Sequence, residues 1–364
     1  MKISKFILCV LLSASLVLSQ TAFGLDDDVA EKFPSTGDSQ DIKDARAIQK
    51  ALRADDEPTT NPLQRVWNMI PSEVMQRFEW DLYLDVQQGY DNNVNLDSQR
   101  LADGFSQIVA NAQTIYKLTY KIYVNAGTDV FNMIYYNQKN ENIFDVAPYV
   151  GFDVEFTRDL IWYNKATYDF FWYPNSKEDT VVEIRAETSL RQYLMSNTYH
   201  QLTFEYTNRW YPDRKIFTVD GRKGNNDRRD ERYKGKYRIA TFYSKFVFRL
   251  DNEFYYNDSD DMFQDYYDYW VYRVRPSLLY FITDKFYIDT GLIYKYTDHD
   301  DRRSTANSMR TVKENLFIFS ASAFYDLTKN VTMQFTYSYS ENVSNEPIEQ
   351  YSGSIVTGGF YYSF

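Results

Sequence analysis

Two histidines and a single cysteine are all that this chain of 364 residues offers for base or thiolate chemistry. His299 stands in the run Asp298-His299-Asp300-Asp301, which has the residue types of a general base beside an orienting carboxylate. No nucleophile accompanies it at a recognisable spacing, so a hydrolytic site at a rim ranks third among the functions considered. His200 falls on the apolar side of an alternating stretch, where an interfacial side chain is expected rather than a base. Asp258, Asp260, Asp261 and Asp265 gather oxygen ligands suited to Ca²⁺, but lack the glycine and terminal glutamate of an EF-hand loop. These residues point to no enzyme, no cofactor and no bound metal.

Ionic side chains are far more abundant: Lys and Arg number 40 and Asp and Glu 51, for a net charge of −11 at pH 7. That balance argues against nucleic acid as a partner, because phosphate binding needs a concentrated basic surface. Many of the charges recur at every second residue, opposite an apolar set. The early acids of this kind are Glu79, Asp81, Asp85, Asp145, Asp153 and Glu155. The bases follow in the middle of the chain: Lys165, Arg185, Arg191, Arg209, Lys234, Lys236, Arg238, Arg249, Arg273 and Arg275. Tyr163, Tyr173, Tyr255, Tyr267, Tyr269 and Tyr287 share the charged side; they could stack on sugar rings or pack with a bonded hydroxyl.

A period of two requires strands to position these groups. Phe78, Trp80, Leu82, Leu84 and Val86 alternate with Glu79, Asp81, Tyr83, Asp85 and Gln87, and the stretches at 144–156, 179–193 and 286–296 repeat the pattern. The expected strands are 78–88, 105–117, 120–136, 144–156, 161–173, 179–193, 199–210, 232–243, 246–256, 266–281, 286–296, 310–324, 331–341 and 350–364, fourteen in all. Short connections alternate with long ones, and the longest expected loop is 211–231, where Arg and Lys mix with Asp. Alternating loop lengths and an even strand count predict an all-β, transmembrane, antiparallel up-and-down barrel with both ends of the sheet on the short-turn side. Trp162, Trp172, Trp210 and Trp270 fall near strand ends, as interfacial girdles require.

The last residues, Val356-Thr357-Gly358-Gly359-Phe360-Tyr361-Tyr362-Ser363-Phe364, alternate to the end. Phe360, Tyr362 and Phe364 share one side, and this strand resembles the C-terminal assembly signal of bacterial outer-membrane β-barrels. The resemblance implies a Gram-negative outer membrane, with lipid, lipopolysaccharide and the barrel-assembly machinery as partners. At the other end, Met1-Lys2-Ile3-Ser4-Lys5 precedes an apolar core from Phe6 to Leu18 and the small-x-small site Ala22-Phe23-Gly24, the pattern of a cleaved signal peptide. Cys9 would leave with it. The expected organisation is therefore a signal peptide over 1–24, a periplasmic extension over 25–76 and a barrel over 77–364. The extension carries Leu63, Val66, Trp67 and Ile70 at helical spacing and reads as a linker or a plug.

Gly89-Tyr90-Asp91-Asn92-Asn93-Val94-Asn95-Leu96 closes the first strand. It resembles the Tyr-Asp-Asx-Asn-aliphatic signature of β-barrel porins of exopolysaccharide loci, and similar wording occurs in surface lipoprotein assembly modifiers. Residues 25–76 are too few for the helical repeats that precede the barrel in the latter. The resemblance implies passage or export of surface polysaccharide. Three functions are thus expected in order: a pore for polar or anionic solutes, including oligosaccharides; a non-conducting structural or binding barrel; and a rim hydrolase. In a closed barrel the early acids would face the middle bases across the lumen, giving either a transverse field or a salt-bridged core. The sequence leaves both open.

Overall fold

The computed structural model describes residues 78–96, 100–195, 197–263 and 266–363. The expected signal peptide over 1–24, the expected extension over 25–76 and Phe364 lie outside these residues. The strands are β1 Phe78–Asp91, β2 Asp103–Lys117, β3 Ile122–Tyr135, β4 Ile143–Thr157, β5 Leu160–Trp172, β6 Val181–Met195 and β7 Thr198–Phe217. They continue with β8 Lys223–Phe242, β9 Phe246–Ser259, β10 Tyr269–Phe281, β11 Phe286–Arg303, β12 Thr311–Asp326, β13 Val331–Ser344 and β14 Tyr351–Ser363. Each strand pairs antiparallel with the next, and β14 returns to β1, closing a fourteen-stranded up-and-down barrel.

The seam shows how closure is achieved. β1 and β14 pair from Tyr83↔Ser363 to Asp91↔Ile355, so the sheet has no free edge to recruit another chain. Gly359 lies where a Cβ would stand 2.1 Å from the Val86 carbonyl oxygen, so only glycine permits that approach.

Alternation sorts every strand into an outward and an inward face. On β1 the outward set Trp80, Leu82, Leu84 and Val86 is exposed, whereas the inward Asp85 and Gln87 are buried. This inverts a soluble barrel, in which the aliphatic face would be the hidden one. The inward assignment follows from contact: Phe105, Tyr135, Phe171, Tyr211 and Ile355 form one buried cluster, and strands so far apart in the sheet meet only inside it.

Two expectations about the elements are corrected. The span 211–231, expected as a loop, is mostly strand: β7 and β8 pair from Thr198↔Thr241 to Tyr211↔Arg228 and continue with irregularities to Phe217↔Lys223. Only a tight turn remains, with Gly221 at φ +75°. Polar composition suggested a loop, but the inward face of this hairpin buries polar side chains such as Arg228 and Asp230, so apolar alternation does not mark it. His299, expected in a loop, lies in β11 because that strand runs on to Arg303.

Candidate functional site: the inner wall

The bases of the middle strands all point inward, but most are neutralised by acids on adjacent strands. Arg238 donates to Asp251 through Nε at 2.7 Å and Nη2 at 2.8 Å, a two-point fork that fixes both groups. Arg273 pairs with Glu253 on the neighbouring strand. Lys236 lies 3.5 Å from Asp251 and 3.4 Å from Glu253, bridging the two. Arg209 donates to Glu183 at 2.6 Å, and Lys234 meets Glu205 at 2.9 Å. Arg185 pairs with Asp169, and its Nε is 3.2 Å from Glu183. These acids share the inward parity of the bases. The signal was present: Glu183-x-Arg185-x-Glu187 and Arg249-x-Asp251-x-Glu253 place opposite charges on one face.

The early acids are differently held. Asp85 accepts from Gln87 at 2.6 Å, Asp153 from Asn125 at 3.2 Å, and Asp129, a further inward acid, from Asn111 at 2.7 Å. Amides satisfy oxygens without cancelling charge. Asp145 lies against Asp169, and each has one buried oxygen without a hydrogen-bond partner. Asp81 and Glu155 are half-buried toward the turn end, while Glu79 has the inward parity but sits exposed at the rim. The bases spend most of their charge on neighbouring strands.

Three of the inward bases named from the sequence have no ion pair among the described residues. Lys165, in the middle of β5, is exposed and lies 4.2 Å from the Tyr149 ring centroid. Arg191 is stacked between Tyr163 at 5.0 Å and Tyr199 at 4.3 Å, and its Nε donates to Gln201 at 3.0 Å. Arg275 is half-buried on β10, with Arg249 beside it and Asp289 of β11 within electrostatic reach of both.

Away from the strand ends, the inward face is most open at Lys165. Along β2 to β6 the inward Asn111, Gln113, Asp129, Asp145, Tyr163 and Glu187 are half-buried and Lys165 is exposed. Along β8 to β10 the inward Arg232, Asp251, Glu253 and Asn257 are buried. On β13 the inward lane is short and uncharged, running through Thr332, Gln334, Thr336, Ser338 and Asn342. Apolar clusters close opposite corners. At the loop end, Phe105, Met133, Tyr135, Phe171 and Tyr211 pack together. At the turn end, Tyr199, Phe242, Leu279, Phe281, Tyr287 and Phe324 do so on the other wall.

Of the six inward tyrosines singled out in the sequence, Tyr173, Tyr255 and Tyr287 are buried as packing, and Tyr163, Tyr267 and Tyr269 are half-buried. Arg228 lies 3.3 Å from the Tyr267 ring centroid, and Arg232 donates to the Tyr269 hydroxyl at 3.0 Å. His299 is inward and buried, 3.2 Å from Glu314 and beside the Tyr269 ring. His200 faces outward and bonds Gln192 at 3.0 Å. No hydroxyl or thiol is hydrogen-bonded to either histidine among the described residues. Asp260 and Asp261 accept backbone N–H groups of Arg229, Phe217 and Phe263, so these carboxylates organise loop backbone. Among the described residues no group of three His, Cys, Asp or Glu could hold a metal ion. Phe360 lies on the exposed outward side of β14, and Tyr362 shares its parity.

No family model matches this chain, and no curated protein matches it. Among solved structures, a loop-deletion form of OmpT, an outer membrane protein of Vibrio cholerae, is 9% identical with a TM-score of 0.44, covering 79% of this chain and 100% of that one. An anion-selective porin from Comamonas acidovorans is 10% identical with a TM-score of 0.44, covering 79% and 99%. The toluene transporter TodX of P. putida is 11% identical with a TM-score of 0.43, covering 79% and 90%. At identities and scores this low, the likenesses decide neither location nor cargo for this chain.

Proposed function

We propose that the protein is an outer-membrane channel for small polar solutes. The carrying observation is the inward, mid-strand, solvent-exposed Lys165 within a closed barrel whose outward face is apolar. An exposed charge inside a sheet closed on itself needs water in the interior, and an exposed aliphatic face needs lipid outside. The outward girdle includes Trp80 and Trp162 near the turn end and Trp172, Trp210 and Trp270 near the loop end, each suited to a membrane interface. In this reading the turn end is periplasmic, the outward face meets lipid and lipopolysaccharide, and Phe360 and Tyr362 form part of the handle for the assembly machinery.

Solute preference follows from the open lane along β2 to β6. Lys165 and Arg191 keep their charge there, and the Tyr163 ring beside Arg191 favours hydroxylated rings over aliphatic cargo. Oligosaccharides and other small polar solutes are the cargo this wall fits, and a fatty acid is not. No residue is assigned a catalytic role. The test is swelling of liposomes carrying the refolded protein, with neutral sugars of increasing size. Swelling with monosaccharides that fades as size grows supports the channel; no swelling beyond empty liposomes contradicts it.

A second reading is favoured by the two apolar clusters that close opposite corners of the interior. If they meet the facing wall in the resting state, the barrel is a non-conducting scaffold. The same swelling test separates the two.

A further inference from the structure

The junction of β1 with β14 differs from every other junction in the barrel. All other neighbouring pairs are consecutive in the chain, so a connection restricts their register. No turn joins β1 to β14, and their register must be chosen by other groups. A slip of one residue would turn the apolar face of β14 inward. A slip of two would bring Thr357 or Tyr361 to the place beside Val86 that Gly359 occupies.

The stretch Asp91-Asn92-Asn93-Val94, which plays no part in the channel reading, lies at the loop end of this junction. The last position of the ladder is Asp91↔Ile355. Beyond it, side chains continue the pairing. The Asn92 N–H donates to the Ser354 carbonyl at 3.1 Å, and Asn92 Oδ1 accepts the Ser354 N–H at 2.7 Å. The amide oxygen thus stands in for the carbonyl that a longer strand would offer. Asn93 Nδ2 donates to the Ser352 carbonyl at 3.1 Å. Asp91 fixes the turn from which both reach out. Its Oδ1 accepts the Asn93 N–H at 2.8 Å, and its Oδ2 accepts the Tyr135 hydroxyl of β3 at 3.0 Å. Asp91, Asn93 and Val94 are buried, and the Val94 N–H donates to the Leu101 carbonyl at 2.7 Å.

We propose that Asn92 and Asn93 select the register in which the barrel closes. They recognise the backbone of residues 352–354, at two carbonyls and one N–H, and so decide which residues of β14 meet β1. Asp91 and Val94 position them. This goes beyond the channel reading and holds whether or not solute passes.

The test is disulfide trapping during refolding of the full chain, with Cys9→Ser as background. Gln88→Cys with Gly358→Cys reports the native seam, and Gln88→Cys with Val356→Cys reports a slip of two. Ser320→Cys with Ser338→Cys reports the β12–β13 hairpin, whose turn restricts its register. Asn92→Ala with Asn93→Ala is expected to lower the ratio of native to slipped seam product about tenfold and to leave the hairpin product unchanged. An unchanged ratio, or a hairpin loss equal to the seam loss, would overturn the proposal. Substitutions at the exposed Asn92 give a second readout in a chain that keeps its buried turn. Asn92→Asp retains an acceptor for the Ser354 N–H and should match the parent ratio, whereas Asn92→Leu loses it and should lower the ratio about fivefold. Equal ratios in these two variants would also overturn it.

Discussion

The inner walls of β8 to β10 and of β2 to β5 are both rich in charge, yet they solve opposite problems. On β8 to β10 several bases meet an acid one strand away, as in the fork of Arg238 on Asp251 and the pair of Arg273 and Glu253, while Arg275 stays unpaired. On β2 to β5 Asp129 meets the amide of Asn111 and Asp153 that of Asn125, and Lys165 meets only a ring. Pairing turns charge into packing, whereas amide partners orient a carboxylate and leave its field in place. Counting lumen charges therefore misleads; what a solute meets is the unpaired remainder.

The largest effect should come from breaking a pair on the packed wall. Asp251→Ala strands Arg238 beside Lys236 and should cost about 3–5 kcal/mol, read from the urea midpoint of the refolded barrel. Asp153→Ala on the open wall should cost no more than about 1 kcal/mol. If the two substitutions cost the same, the contrast between the walls fails.

Lys165→Glu should act on selectivity instead. The reversal potential in a salt gradient is expected to move toward cations, with the anion-to-cation permeability ratio falling about threefold or more. The double change Lys234→Gln with Glu205→Gln removes a neutralised pair, so the reversal potential should stay where it is and stability should move by about 1 kcal/mol or less. A selectivity change in the double variant would place the paired wall in the solute path.

Asp153→Asn is a finer probe. It keeps a group that Asn125 can bond and removes one charge, so stability should hold within about 0.5 kcal/mol while selectivity drifts toward anions, by less than Lys165→Glu moves it. The smallest effect is expected from His299→Gln, which should leave conductance and reversal potential unchanged. Any shift would bring the loop-end wall near His299 into the path.

The period of two made the strands, their number and the inward parity of all the charged candidates legible before any coordinates. Alternation is a direct consequence of a sheet with lipid on one side and polar groups on the other, so it survives wherever that asymmetry holds. It lapses where β7 and β8 run past the apolar band, and there Lys223 to Asp230 read as loop although they are strand. Pairing was less legible. Arg209 finds Glu183 and Lys234 finds Glu205 only once register is set, because a shift of one residue would turn each to the other face. The contrast in exposure between Lys165 and Arg238 depends on how long side chains share the interior, which no single strand encodes.

Single-channel recording of the refolded barrel in a planar bilayer tests the central claim most directly. Steady, ohmic conductance that shifts in selectivity with Lys165→Glu is the predicted result. Silence from a barrel whose heat-modifiable migration proves it folded would contradict the water-filled lane and leave a closed scaffold in its place.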